Sequence, residues 1–348
     1  MIRAGKADLL FARQPGALRG PNGDSGRKNK SASRGEPAGK LESNRWQGLP
    51  KALGLADELQ QLRAILSAWI DDGDPEMRQP LRWQLGDASK FFRPLTIFAC
   101  YRAAFDRPVP LATIRVAAAV EIFHNVSLII DDILDRSRFR RRKLTLHCRY
   151  GELRALMTAG YMTAGGFQIV ARDPLAIRLL AELMQRLGIA ECLQWRLRRR
   201  PLGVADWRVI AGEDTGSMFE ICARVGTRDR RLAGFGRLLG ILYHGCDDVS
   251  DVRGGRALGE GGHEDLRDRI LTLPAAIAVQ RPAVARLFRT VGEDNVQPLR
   301  RAFSGAVHKA ERYLDRLVRD ATAEARQHAL RPEPLLTLIQ HTRALSRE

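Results

Sequence analysis

The chain has 348 residues, of which 45% are hydrophobic, 28% charged and only 6% aromatic; this suits one or two globular domains and excludes collagen-like, mucin-like and wholly disordered classes. Its 57 basic residues outnumber 40 acidic ones for a net charge of +17, which raises nucleic acid, anionic membrane and phosphorylated substrates as partners without choosing among them. Apolar stretches are interrupted before reaching the roughly 18 residues of a membrane span, so no stable membrane insertion is expected.

Residues 1–45 read as a disordered basic tail: Gly, Pro, Ser, Lys and Arg dominate, and too little apolar surface is present to offset the entropy of ordering. The tail lacks the apolar core of a secretory signal, although its Arg and Ser content also faintly resembles a transit peptide. Five scattered cysteines without a Cys-x-x-Cys pair argue against a disulfide framework or zinc site, which makes the reducing cytosol the default compartment.

Folding is expected from Trp46 onward. Leu55, Leu59, Leu62, Ile65, Leu66 and Trp69 recur at three- and four-residue steps, the mark of an amphipathic helix, which Gly73 and Pro75 end. Similar periods run through 94–105, 111–134, 152–171, 174–199, 206–225, 231–252 and 297–320, with short Gly- or Pro-bearing linkers and no convincing alternating strand. The pattern predicts a single all-α domain over 46–348, an antiparallel bundle with its site in a central cavity. The Gly-rich stretch 253–263 is the longest loop expected and sits where a mobile lid would.

Two apolar helical runs end in the same acidic pattern: Asp131-Asp132-Ile133-Leu134-Asp135 and Asp247-Asp248-Val249-Ser250-Asp251, 116 positions apart. On a helix, positions i, i+1 and i+4 bring the carboxylates to one side, one turn apart. Mg²⁺ takes one or two carboxylates together with waters and phosphate oxygens, so two such sets could hold metals that bridge to one diphosphate. A single such pattern would read as a solvated helix end; two at the ends of apolar helices do not. Asp71-Asp72-Gly73-Asp74 is the contrasting case, a helix stop without basic partners and without an assigned role. Behind the first cluster follow Arg136, Arg138, Arg140, Arg141, Arg142 and Lys143, then His147, so guanidinium groups and metal could grip the same polyphosphate. A plain basic surface remains a second reading of that run. A nucleic-acid interface would need stacking aromatics among the basic residues, and these are few.

In this order the residues resemble the trans-prenyl diphosphate synthases, also called polyprenyl synthetases, over roughly 86–274. Ala88-Ser89-Lys90-Phe91-Phe92-Arg93-Pro94 is similar to that family's first basic motif. Glu121 through Leu128, with His124, resembles the helix leading into its first aspartate-rich motif. Asp131, Asp132 and Asp135 match that motif; Arg140 and Arg141 match the trailing Arg pair, and His147 with Tyr150-Gly151 the close of the block. Thr215-Gly216 resembles the Lys-Thr-Gly motif, Asp247 to Asp251 the second aspartate-rich motif, and Asp265-Leu266 with Thr272-Leu273-Pro274 the block after it.

The resemblance implies a Mg²⁺-dependent prenyltransferase, with three ions per site held by Asp131, Asp132, Asp135, Asp247, Asp248 and Asp251. An allylic diphosphate (dimethylallyl, geranyl or farnesyl) would be bound through the metals, Arg140 and Thr215. Isopentenyl diphosphate would sit on Lys90, Arg93, His124 and Arg141. Ionisation of the allylic C–O bond, attack by the isopentenyl double bond and loss of a proton to the released diphosphate would lengthen the chain by five carbons. A homodimer is expected on the same ground, while the cytoplasmic location rests on the cysteines and the absence of a nucleic-acid partner on the scarcity of aromatics. The chain departs from the family's pattern where Asp214 and Ile270 stand in place of lysines that face the allylic diphosphate, where His244 occupies the stretch in which Gln is usual, and where Phe91 replaces a basic residue. Arg253, Arg256, Arg267 and Arg269 are the candidates to compensate. Ser127 and Val126, four and five residues before Asp131, are smaller than the aromatic pair that shortens the product in such enzymes, so a C20 geranylgeranyl product is expected, with Phe123 as cavity floor or ordinary core aromatic. A regulatory subunit and a terpene cyclase on the same fold are the alternatives.

Overall fold

The computed structural model describes residues 48–86, 89–141, 143–254, 269–290 and 292–347. The basic tail, Ala88, Arg142, Arg256, Asp265, Leu266, Arg267 and nearly all of the expected lid at 253–263 lie outside the described residues. The rest is all-α. In chain order the helices are α1 (Ala56–Asp71), α2 (Pro75–Leu85), α3 (Phe92–Phe105), α4 (Leu111–Leu134), α5 (Leu146–Tyr150), α6 (Glu152–Ile169), α7 (Pro174–Leu197), α8 (Val204–Glu213), α9 (Thr215–Thr227), α10 (Ala233–Arg253), α11 (Leu273–Ala278), α12 (Pro282–Arg289), α13 (Val296–Ser304), α14 (Val307–His328) and α15 (Glu333–Ala344). Among the described residues the extended structure is one short antiparallel ladder, β1 (Phe139–Arg140) with β2 (Lys143–Leu144).

Proline placement explains several boundaries. Pro75 ends the run before it and also opens α2, where the Asp74 carboxylate accepts the Glu76 N–H at 2.9 Å. Pro174 opens α7 in the same way, with the Asp173 carboxylate accepting the Ala176 N–H at 3.0 Å. Proline suits the first turn because the N–H it lacks would be unpaired there. The Asp71 cluster does have a basic partner, against the sequence expectation: Arg82 reaches Asp71 at 2.5 Å, an exposed pair worth about 1 kcal/mol or less. The run 206–225 is two helices, since Asp214 leaves helical geometry at ψ −101° between α8 and α9. The run 297–320 is likewise divided at Gly305–Ala306.

Two apolar helices carry the core. In α4, Val116, Ala117, Ala118, Ala119, Val120, Ile122 and Phe123 are buried on every side. Contrary to the sequence expectation, α4 is long and apolar enough to cross a membrane by length and composition, but 78% of its most apolar window is buried inside the protein, as befits a core helix. α10 is the second, and α9 packs against both α4 and α10. The α9–α10 approach is made by small residues: a Cβ on Gly236 would lie 2.4 Å from the Phe219 carbonyl oxygen, and one on Gly240 would lie 2.6 Å from that of Thr215. That closeness brings the C-terminal half of α10 against Asp214 and Thr215.

Candidate active site

Both acidic clusters lie at helix C-termini, where the partial negative charge of the helix dipole already disfavours carboxylates. Burial first, then the charges of Glu191 and Asp214, push Asp131 well above the usual carboxylate range, with Arg140 opposing. Burial and the neighbouring Asp248 raise Asp247 to about 6, while His244, Lys90 and Arg140 pull it back. Arg140 therefore acts on both clusters, and Asp214 acts on Asp131 and on Asp248. The two helix ends therefore lie near each other, with Arg140 and Asp214 between them.

Each acid has its own surroundings. Arg140 donates to Asp132 at 2.7 Å, and Arg198 from the end of α7 donates to Asp135 at 2.9 Å. Asp248 is buried and accepts from the Trp207 indole at 2.8 Å and the Leu273 backbone N–H at 2.7 Å. Asp251 is half-buried on the next turn of α10.

The basic half of the site stands beside the acids. The β1–β2 turn carries Arg141 at φ +51°, a left-handed backbone that costs a non-glycine residue about 1 kcal/mol or more and persists where the surrounding structure holds it. Burial lowers the Arg141 pKa and the Glu121 carboxylate opposes that shift. Arg93 extends over the Phe219 ring at 5.5 Å, within an aromatic cluster of Phe92, Phe219 and Tyr243. His124 is 6% exposed, and burial followed by the charges of Arg93, Arg141 and Arg140 holds its pKa well below the usual imidazole value, so the ring is neutral. His124 Nδ1 and Arg93 Nε are buried without a hydrogen-bond partner among the described residues. Lys90 is half-buried and close enough to act on Asp247. A small cleft opens alongside, lined in part by Ser89, Asn125, Asp132, Arg140, Arg141 and Lys143. Buried donors without partners, gathered beside cations, are what an anionic ligand would satisfy.

The departure at Asp214 is answered within the site. Asp214 Oδ2 lies 3.3 Å from His244 Nδ1 and accepts the Thr215 hydroxyl at 3.1 Å, and Thr215 Oγ1 is 3.0 Å from His244 Nδ1. Burial disfavours the charge on His244, yet Asp248, Asp214 and Asp247 together push its pKa up to about 9. Burial would likewise raise Asp214, but the His244 contact and the Thr215 hydroxyl hold it below the usual carboxylate value. An imidazolium at 244 thus offsets the carboxylate at 214. Of the arginines expected to compensate, Arg256 and Arg267 lie outside the described residues; Arg253 pairs with Glu311 at 2.8 Å and with the Ser346 carbonyl, and Arg269 is 1% exposed, reaching toward the Gly292 carbonyl.

Glu191, Arg198, Trp207 and His244 were not singled out as site residues by the sequence reading. Glu191 on α7 is raised to about 7 by burial and by Asp214 and Asp135. No local pattern marks it, because its neighbours are distant in the chain. Phe123, the expected floor, is fully buried edge-on to Phe167 at 4.9 Å, and a Cβ on Gly166 would lie 2.6 Å from its ring. Val126 is buried, and Ser127 donates its hydroxyl to the His124 carbonyl at 2.8 Å.

The donors are hard carboxylate oxygens, the kind Mg²⁺ selects, and burial first, with neighbouring carboxylates adding to it, raises the pKa values of Asp131, Asp132, Asp247 and Asp248. Among the described residues no three acidic, His or Cys side chains enclose a metal by themselves. An ion held by these carboxylates would need water and a phosphate-bearing ligand to complete its coordination.

The polyprenyl synthetase family model matches residues 74–304. Farnesyl diphosphate synthase of Geobacillus stearothermophilus is 25% identical over 252 residues, covering 65% of this chain and 84% of that protein. Sesterfisherol synthase of Neosartorya fischeri is 25% identical over 250 residues, but the chain spans only 31% of that protein's length. Heptaprenyl diphosphate synthase from Staphylococcus aureus superposes with a TM-score of 0.75 at 19% identity, covering 84% of this chain and 98% of that one, a likeness of fold.

Proposed function

The chain belongs to the polyprenyl synthetase family, and from that premise we propose that it is a prenyltransferase condensing isopentenyl diphosphate with an allylic diphosphate to give a trans-prenyl diphosphate, with geranylgeranyl diphosphate as product. One observation carries the reading: Arg140 acts on both acidic helix ends, beside a basic patch with unpartnered buried nitrogens on Arg93 and His124.

Mg²⁺, three ions in this reading, would be held by Asp131, Asp132, Asp135, Asp247, Asp248 and Asp251 and would neutralise the departing diphosphate. Arg140 and Thr215 orient the allylic diphosphate, and Arg140 shares its charge between substrate and Asp132. Lys90, Arg93 and Arg141 bind the second diphosphate, and neutral His124 supplies an N–H donor without adding to the charge repulsion among them. The buried walls of α4 and α9 exclude water from the allylic cation, and catalysis is mainly orientation and charge neutralisation. Imidazolium at His244 supports a working enzyme over a regulatory subunit, because it neutralises the carboxylate that Asp214 adds where the family has a lysine. Lys90, Arg93, His124 and Arg141 form a second anion site that a terpene cyclase would not need.

Small Val126 and Ser127 above the Phe123–Phe167 contact support a C20 product. The exposed apolar face of α6 (Leu153, Leu156, Met157) and of α7 (Ile189, Trp195) supports a homodimer through these helices, and five free cysteines fit a cytoplasmic protein.

Incubating the protein with Mg²⁺, radiolabelled isopentenyl diphosphate and each allylic diphosphate, then sizing the dephosphorylated products, tests the reading. A C20 alcohol is expected in wild type and longer alcohols in Phe123→Ala. Elongation of no allylic substrate by folded protein would refute it.

A further inference from the structure

Six aspartates are assigned to metal in the reading above, and the protein holds them by different means. Asp132 is held by Arg140 and Asp135 by Arg198, so a guanidinium already meets part of each charge. Asp248 is held otherwise. Both donors to it are neutral, the indole N–H of Trp207 at 2.8 Å and the backbone N–H of Leu273 at 2.7 Å, and both meet the same oxygen, Oδ2. A carboxylate oxygen offers two lone-pair directions, so these two bonds use up Oδ2. Oδ1 lies 3.8 Å from His244 Nε2, a charge contact too long for a hydrogen bond. The two neutral donors fix the rotamer of Asp248 through Oδ2, and among the described residues neither they nor His244 makes a hydrogen bond to Oδ1.

Trp207 is built in for this. It is fully buried in α8, edge-on to Tyr313 at 5.8 Å, and Gly245 on α10 leaves room for it: a Cβ there would lie 3.1 Å from the indole ring and 2.7 Å from Leu314. The Leu273 N–H belongs to the first turn of α11, which lacks intrahelical partners. Asp248 therefore ties α8, α10 and α11 together at one oxygen.

We propose that Trp207 is a positioning residue that holds Asp248 as a one-oxygen Mg²⁺ ligand, its indole N–H setting the protein's affinity for the metal–diphosphate pair. The inference rests on the enzyme reading above. Outer-shell donors of this kind typically change metal affinity about 10- to 100-fold when lost.

The test uses the full chain and its Trp207→Phe variant, with inorganic diphosphate as probe. Calorimetric titration of Mg²⁺ into protein with saturating diphosphate should give an affinity about ten-fold weaker in the variant. The Mg²⁺ concentration for half-maximal condensation should rise by the same factor, and the rate should recover as Mg²⁺ is raised. Unchanged Mg²⁺ affinity in a folded variant overturns the proposal. So does a lowered melting temperature with a rate that Mg²⁺ does not rescue, the signature of a merely structural indole. Should the variant not fold, the indole N–H signals of ¹⁵N-tryptophan-labelled wild type decide: the slowest-exchanging one should shift when Mg²⁺ joins the diphosphate complex, and a stationary signal overturns the proposal. Wild type that binds no Mg²⁺–diphosphate removes the enzyme reading itself, an outcome distinct from equal binding by both proteins.

Discussion

Gly240→Ala should damage catalysis far more than stability. The new Cβ would lie 2.6 Å from the Thr215 carbonyl oxygen and 2.7 Å from Gly216 Cα, both backbone atoms that cannot rotate away. Carbon contacts are comfortable only at about 3.5–4.0 Å, so α9 and α10 must separate locally by about 1 Å. Overpacking of this sort costs about 1–3 kcal/mol, and the better helix propensity of alanine returns about 1 kcal/mol. The net loss of about 0–2 kcal/mol should lower the melting temperature by no more than a few degrees in a chain of this size. The same separation pulls Thr215 and Asp214 away from His244, contacts now at 3.0 and 3.3 Å. Misplacement by about 1 Å can cost about 100-fold in rate. Thermal unfolding and steady-state condensation rates, measured side by side, check this. A variant as active as wild type would refute the idea that the glycine contact sets the Asp214–His244 geometry.

Asp131→Asn should cut condensation by about 100-fold or more and raise the melting temperature, since the folded protein holds this carboxylate with its pKa well above the unfolded value and ionisation near neutral pH therefore destabilises it; a lower melting temperature would contradict the sign. Asp173→Ala should cost about 1–2 kcal/mol at pH 7 in denaturant titrations, as it removes the α7 cap and the two Arg228 bonds at 2.6 and 2.9 Å. The Arg228 hydrogen bonds hold the Asp173 pKa below 3.8, so its contribution is present above that unfolded value and lost as pH falls through the folded one, and the gap between variant and wild type should close only below about pH 4. Ile189→Arg should convert a homodimer to monomer in sedimentation experiments, because it places a charge on the exposed apolar face of α7; an unchanged sedimentation coefficient would locate the interface elsewhere.

Local signals were sufficient for much of this protein. The three- and four-residue apolar steps gave α1, α4 and α10 closely, because burial of one helix face leaves its period in the sequence. The repeated acidic pattern at the ends of α4 and α10, with Lys90, Arg93, His124, Arg140 and Arg141 between and before, was legible for the same reason: each motif is contained within a single element and its flank. The break at Asp214 was not legible, since helix periodicity continues through it and only the turn into α9, with Thr215 beside His244, stops the helix there. Nor could the sequence pair residues across elements. His244 meets Asp214 from 30 positions away, Trp207 meets Asp248 from 41, and Arg198 meets Asp135 from 63. Pairing at such separations depends on how closely the helices approach, and Gly236, Gly240 and Gly245 set that approach in three dimensions. The sequence alone determined which chemical groups the protein owns and which helices carry them. Tertiary packing decided which groups face one another, and with that the charge on His244, the orientation of Asp248 and the place of the compensating cation.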